Sequence, residues 1–498
     1  MTAALDVRDL RIAIAGRPLV QGVSLEVHPG ECVAIVGESG AGKSLTARAL
    51  LGLLPTGARV DSERLRVDGT DVRTLGERGW RRLRGARIAL VSQDALVSLD
   101  PLQRIGTEIA EPLRLHGLDA SPQRVLSLLA RVSMPDAPRR ARQHPHELSG
   151  GLRQRALIAS ALAAEPGILV ADEPTTALDA TVQARILGLL REIAKAGTAV
   201  LFISHDFAAV RRLADRVLVM RDGEIVEQGP VSEVLENPAH EYTRTLIDAT
   251  RHEPRESSSG GEAVVVEAVG VSKSFGGVPA VADASFSVRE GRTLGIVGES
   301  GSGKTTLARM IVGVEHADSG ELRWARRHRV QLVHQNPLGA FDPRWTIARS
   351  LREALGAGGA PRSDHGERIA ALLAEVDLDP SLAERRASAL SGGQRQRAAI
   401  ARALAADPEV LVLDEPVSAL DPSARERVLQ LLARLQRDRA LTMLFVSHDL
   451  DVVGAIADEV IVMQDGRIVE EGAVRDVFAA PRHPFTRELL AASGQSLT

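Results

Sequence analysis

"ECVAIVGESGAGKSLT", residues 31–46, passes from an apolar run through a glycine-rich loop into a stretch of helical character. Its spacing fits G-x-x-x-x-G-K-[ST]. Gly37, Gly40 and Gly42 permit positive φ and close approach of backbone to a ligand. The amides of such a loop, and the N-terminus of the helix behind it, face an anion. Lys43 is suited to the outer phosphates of a nucleotide and Ser44 to Mg²⁺, while Glu38, Ser39, Ala41 and Leu45 complete the segment. Strand, loop and helix in this order predict an α/β nucleotide-binding fold; a chance glycine-rich turn would lack the flanking elements.

The stretch nearly recurs in "RTLGIVGESGSGKTTL", residues 292–307. Gly298, Glu299, Ser300, Gly301, Ser302, Gly303, Lys304, Thr305 and Thr306 repeat the set at an offset of 261. Further pairs follow at offsets of 242 or 243: "LSGGLRQR" (148–155) with "LSGGQRQR" (390–397), "LVADEP" (169–174) with "LVLDEP" (411–416), and "FISHD" (202–206) with "FVSHD" (445–449). A steady offset marks a duplicated unit. Its fall from 261 to 242 places a loss of 19 residues in the second copy, ahead of its glutamine segment. Between the copies, "RHEPRESSSGGEA" (251–263) is polar and aperiodic, and reads as a linker. The expected domains are therefore 1–250 and 264–498.

Composition narrows the function class. A chain of 498 residues exceeds one ordinary core. With 44% hydrophobic and 25% charged residues it has a globular composition. A net charge of −4 gives no reason to expect nucleic-acid binding. One cysteine, Cys32, excludes an intrachain disulfide and any cysteine-built metal cluster. No signal peptide and no membrane-spanning run is expected. Only four lysines occur, Lys43, Lys195, Lys273 and Lys304, and two of them sit in the phosphate loops. A compact ammonium fits there and a planar guanidinium does not.

"GILVAD" and "EVLVLD" read as buried strands ending in Asp172 and Asp414, each suited to hold a Mg²⁺ shell. Glu173 and Glu415 follow and are suited to orient a water for attack on the γ-phosphate. His205 and His448 come after further apolar strands, and their recurrence points to a γ-phosphate contact. His144 and His146 in "HPHEL" are discounted as a metal site, having no third ligand. "RDGEIVEQG" and "QDGRIVEEG" predict Asp-Gly hairpins.

The two "LSGG" segments, each shortly before its acidic strand, resemble the signature of ABC-type ATPases, over nearly the whole chain. The resemblance implies two tandem P-loop NTPase domains, each with a RecA-like core, an antiparallel β subdomain and a helical subdomain at 94–147 or 336–389. It implies that Gln93 and Gln335 contact Mg²⁺ and water, and that Asp179 and Asp421 are D-loop residues. It implies paired ATPase domains, with Ser149, Gly150 and Gly151 capping the ATP at Lys304, and Ser391, Gly392 and Gly393 capping the ATP at Lys43. Family members stack an aromatic ring on adenine. Phe275 is the candidate in the second copy, and Ile14 stands at the matching place in the first.

"SQDALVSLDP" with "HQNPLGAFDPR", and the tails "VLENPAHEYTRTLI" (234–247) and "VFAAPRHPFTRELL" (477–490), are similar to the peptide/nickel importer branch. That implies a peripheral ATPase on the cytoplasmic face of the membrane, working with two permease subunits and a separate solute-binding protein. The alternatives are a paired ATPase acting on ribosomes or DNA, and a fused sugar-importer ATPase. The short linker speaks against the first and the tails against the second.

Overall fold

Cys32–Val36 and Ile168–Asp172 are buried at every position, as strands covered on both faces must be. The computed structural model describes residues 2–92, 98–175, 180–249, 261–418 and 420–493. Gln93, Asp179 and most of the linker lie outside the described residues. The chain divides into two units that part near residue 250.

The first unit contains β1 (Leu5–Ile14), β2 (Arg17–Val27), β3 (Cys32–Val36), β4 (Ala58–Asp61), β5 (Arg64–Val67), β6 (Thr70–Asp71), β7 (Ile88–Val91), β8 (Ile168–Asp172), β9 (Ala199–Ile203), β10 (Arg216–Arg221) and β11 (Glu224–Pro230). Its main sheet runs β11-β10-β3-β9-β8-β7, parallel except for the β11 edge. Side chains of β3 alternate between two cores. Val33 and Ile35 join the apolar face of the antiparallel sheet β2-β1-β5-β6, while Cys32, Ala34 and Val36 join the core shared with the helical region. That region carries the helices Ile105–Leu115 and Pro122–Arg131.

The second unit contains β12 (Val264–Phe275), β13 (Val278–Arg289), β14 (Thr293–Gly298), β15 (Ser319–Trp324), β16 (Val330–Val333), β17 (Val410–Asp414), β18 (Thr442–Val446), β19 (Glu459–Gln464) and β20 (Arg467–Ala473). Its main sheet has the same order, β20-β19-β14-β18-β17-β16, and its small sheet is reduced to β13-β12-β15. Helices Ile347–Ala357 and His365–Glu375 form its helical region. The fold is α/β with duplicated architecture, as the sequence predicts.

Most of the 19-residue loss has a structural identity. β15 pairs with β12 as β5 pairs with β1, and among the described residues of the second unit nothing corresponds to β6 or to the helix Glu77–Leu83. In the first unit that helix lays Trp80 against Gly52, where an added Cβ would sit 2.4 Å from the indole. At the matching Gly313 the same atom would meet open space.

Both hairpins predicted from Asp-Gly are present. Asp222 and Gly223 have φ of 48° and 89°, Asp465 and Gly466 of 48° and 80°, the two successive positive values a type I′ turn needs. The second hairpin strands hold the tails. Glu227 on β11 accepts from the amides of Ala239 and His240 at 2.7 and 3.1 Å; Glu470 on β20 accepts from those of Arg482 and His483 at 2.8 and 3.0 Å.

Candidate functional site

In both units the loop between the first parallel strand and its helix is held by close backbone approach. A Cβ on Gly37 would lie 2.1 Å from the Met220 carbonyl oxygen, and one on Gly298 2.2 Å from that of Met463. Both residues have φ near 150°, so side chains are excluded by space and by conformation alike. The helices Lys43–Leu50 and Lys304–Val312 start behind Gly42 and Gly303, which supply no side-chain cap. Their first amides therefore stay directed to whatever the loop encloses.

Lys43 and Lys304 are buried, and each ammonium folds back over its loop. Lys43 Nζ donates to the carbonyls of Gly37 and Glu38 at 2.7 and 2.8 Å; Lys304 Nζ donates to those of Gly298 and Glu299 at 2.8 and 2.7 Å. Two backbone carbonyls thus hold each ammonium over its loop, where a polyphosphate would meet it.

Beside each lysine a hydroxyl meets a strand-end acid. Ser44 Oγ donates to Asp172 Oδ1 at 3.0 Å, and Thr305 Oγ1 to Asp414 Oδ1 at 3.0 Å. Burial pushes both carboxyls up despite these bonds, and the adjacent Glu173 or Glu415 adds to it. A hard cation would relieve that cost. One hydroxyl and one buried carboxylate fit Mg²⁺, which keeps most of its waters and takes few protein ligands.

Glu173 and Glu415 have φ of 48° and 47°, the left-handed region a β-strand end rarely visits with a side chain. Their amides are tied to the carbonyls of Ile203 and Val446 at 2.9 and 3.0 Å, so the neighbouring strand fixes the conformation. Strain of this kind concentrates at functional sites. Each carboxylate meets a histidine: His205 Nδ1 lies 3.2 Å from Glu173 Oε1, and His448 Nδ1 3.2 Å from Glu415 Oε1. Gln335 Nε2 donates to Glu415 Oε2 at 2.9 Å, so both oxygens of Glu415 are engaged. Burial pushes Glu415 up, but His448 and Lys304 outweigh it and the carboxyl sits below its ordinary range; His448 is raised correspondingly.

The "LSGG" serines are helix caps. Ser149 Oγ accepts from the Leu152 amide at 3.4 Å and Ser391 Oγ from the Gln394 amide at 3.3 Å, so Gly150, Gly151, Gly392 and Gly393 form the first turns of long helices. Asp421 caps the helix Pro422–Arg439, accepting from Ala424 N at 2.8 Å. Ile14 and Phe275 end β1 and β12 at the same turn, paired with Arg17 and Val278. Phe275 is 48% exposed, with Lys273 Nζ 5.6 Å from its ring centroid, so it is no core residue. His144 and His146 stack on each other, and the described residues hold no group of three or more His, Cys, Asp or Glu suited to a metal.

One residue escaped the sequence reading. Tyr242, at the start of the first tail helix Glu241–Asp248, accepts a hydrogen bond from the Glu38 amide in the phosphate loop at 3.2 Å. The only sequence signal is that "HEYT" stands where the second copy has "HPFT".

The chain matches the family model described as ABC transporter over residues 20–176 and 281–418. It matches that described as oligopeptide/dipeptide transporter, C-terminal region, over 226–264 and 469–495. It is 43% identical to the peptidoglycan transport ATP-binding protein YejF of Agrobacterium fabrum, across 98% of this chain and 96% of that one. It is 39% identical to the glutathione import ATP-binding protein GsiA of Escherichia coli K12, across 95% and 86%. Among solved structures it resembles an RNase-L inhibitor at a TM-score of 0.67 and 21% identity, covering 98% of this chain and 93% of that one. It also resembles a model of ribosome-bound archaeal Pelota and ABCE1, at 0.69 and 22%, covering 97% and 80%. At those identities the structural likeness concerns fold alone.

Proposed function

This chain belongs to the ABC transporter ATP-binding proteins, and from that premise we propose that it energises the import of peptides or peptide-like solutes across a membrane. ATP binding and hydrolysis come with the family. The finer reading rests on one observation: both units carry the tail region of oligopeptide and dipeptide transporters, and in both that tail is held by a hairpin glutamate, Glu227 or Glu470. Relatives named for peptidoglycan transport and glutathione import fit the same solute class. Nickel, the other solute of the branch, has no support beyond kinship.

The proposed roles are these. The loops 37–45 and 298–306 bind the phosphates, with Lys43 and Lys304 on the outer ones. Ser44 with Asp172, and Thr305 with Asp414, hold Mg²⁺, which when bound neutralises the phosphate oxygens. Glu173 and Glu415 orient and polarise the attacking water, and each histidine holds its glutamate in place and contacts the γ-phosphate. Gln335 joins the second of these sites; Gln93 and Asp179 take the matching roles by resemblance. Phe275 stacks on adenine. The capping roles of Ser149–Gly151 and Ser391–Gly393, and the role of Asp421, rest on the family resemblance, as do the limits 1–250 and 264–498 for the two domains.

No helix among the described residues is long and apolar enough to cross a membrane. By kinship with importer ATPases, the proposed partners are two integral-membrane permeases, joined at the cytoplasmic face, and a separate solute-binding protein. Affinity purification of the tagged chain from detergent-solubilised membranes tests this. Recovery with two membrane proteins, and ATPase stimulation by a peptide-loaded binding protein, are expected. Recovery with ribosomal subunits alone would overturn it.

A further inference from the structure

The two units differ in what touches the phosphate loop from outside. In the first, the helix Glu241–Asp248 is anchored at its start: Glu227 accepts from the Ala239 and His240 amides, and His240 Nδ1 accepts from the Tyr242 amide at 3.1 Å. Tyr242 is thereby aimed inward and is only 8% exposed. Its hydroxyl accepts from the Glu38 amide, and the Arg221 guanidinium lies over its ring, 4.9 Å from the centroid. Burial pushes the phenol up to about 12, so it keeps its proton at neutral pH. Glu38 is also one of the two residues whose carbonyl receives Lys43 Nζ. A single peptide segment thus connects tail, loop and phosphate lysine.

The second unit keeps the anchor and loses the link. Glu470 and His483 repeat the hold on the tail, but Phe485 replaces Tyr242 and Gln464 replaces Arg221. Phe485 is buried, so the ring is retained without its hydroxyl. Loss of hydroxyl and guanidinium together marks a contact present in one copy only.

We infer that Tyr242 is a positioning residue for ATP binding in the first unit, its hydroxyl fixing the Glu38 peptide and so the loop that Lys43 closes, with no counterpart in the second unit. The inference rests on the reading of residues 37–45 as a phosphate site. A loop fixed before the ligand arrives loses less freedom on binding. The hydroxyl therefore acts on affinity more than on the chemical step. It also gives the first unit a hold on its loop where, with Ile14 in place of an aromatic ring, it lacks a base stack.

The test uses the full chain with one site silenced. In a Lys304→Ala background, binding of a fluorescent ATP analogue reports the Lys43 site; in a Lys43→Ala background it reports the other. Tyr242→Phe keeps the ring and removes the hydroxyl. It is expected to weaken binding at the Lys43 site by roughly two- to tenfold, the effect of one hydrogen bond, and to leave the Lys304 site unchanged. KM for ATP should rise more than kcat falls, and amide exchange at Glu38 should quicken. Unchanged affinity at the Lys43 site, or equal weakening at both sites, overturns the inference. Absence of any nucleotide binding in the Lys304→Ala background overturns the underlying reading of the loop instead, and the inference with it.

Discussion

The residues that carry the chemistry were legible because the chemistry leaves little choice of residue type. Lys43 and Lys304 were found from the spacing of the glycine-rich loops, and their place in a chain that has only two other lysines supports the reading. Ser44 and Thr305 are predicted to matter only when metal is present. Ser44→Ala with Thr305→Ala should lower affinity for Mg·ATP by roughly tenfold, with binding of metal-free ATP little changed; titration with and without a chelator reads the difference. Adenine recognition should be unequal. Phe275→Ala should weaken binding at the Lys304 site by on the order of 1 kcal/mol, tenfold or less, and Ile14→Tyr should strengthen it at the Lys43 site. Site-resolved titration showing neither effect would leave Phe275 without that role. Tyr242 was not legible: its partner Glu38 stands 204 positions away, and only the docking of a tail brings the two together. The strained φ of Glu173 and Glu415 was likewise invisible, since it comes from a hydrogen bond to the neighbouring strand.

Elements followed the pattern of apolar residues. Buried strands ending in acids, and Asp-Gly hairpins, appear where the sequence put them, because burial on both faces and positive φ are strict demands. What the 19-residue loss removes was not legible, since a length difference does not say which element is missing. The structure assigns most of it to the segment with β6 and the Trp80 helix, whose indole covers Gly52. The tails allow a pH prediction. Burial pushes the Glu227 and Glu470 carboxyls up, but the nearby threonine, the two backbone amides that donate to each and the adjacent histidine outweigh it and hold both below the usual value of 4.5. A depressed folded value means that the stabilisation is fully present above pH 4.5 and is lost as pH falls through the folded value. Solvent reaches both carboxylates, so each contributes no more than about 1 kcal/mol. Hydrogen exchange at the His240 and His483 amides should therefore quicken, relative to the rest of each unit, between pH 5 and pH 3 (about the carboxylate range). Glu227→Gln should abolish that pH dependence at His240 alone; its persistence there would remove the carboxylate from the account.

At the scale of the whole molecule, the question is why one chain carries the same machinery twice. Both units keep lysine, hydroxyl, strand-end acid, glutamate and histidine in the same geometry, down to 3.2 Å between histidine and glutamate in each. Duplication was legible from constant offsets, and so was Ile14 against Phe275, whereas the consequence of Tyr242 against Phe485 shows only in the folded chain. The central claim is that both units hydrolyse ATP. It is tested by the steady-state ATPase rate of the full chain carrying Glu173→Gln, Glu415→Gln or both, with nucleotide binding measured in parallel. All three variants should bind ATP. Each single substitution should slow hydrolysis to about half or less, and the double should slow it by roughly a hundredfold or more. One substitution leaving the rate unchanged while the other abolishes it would contradict the account.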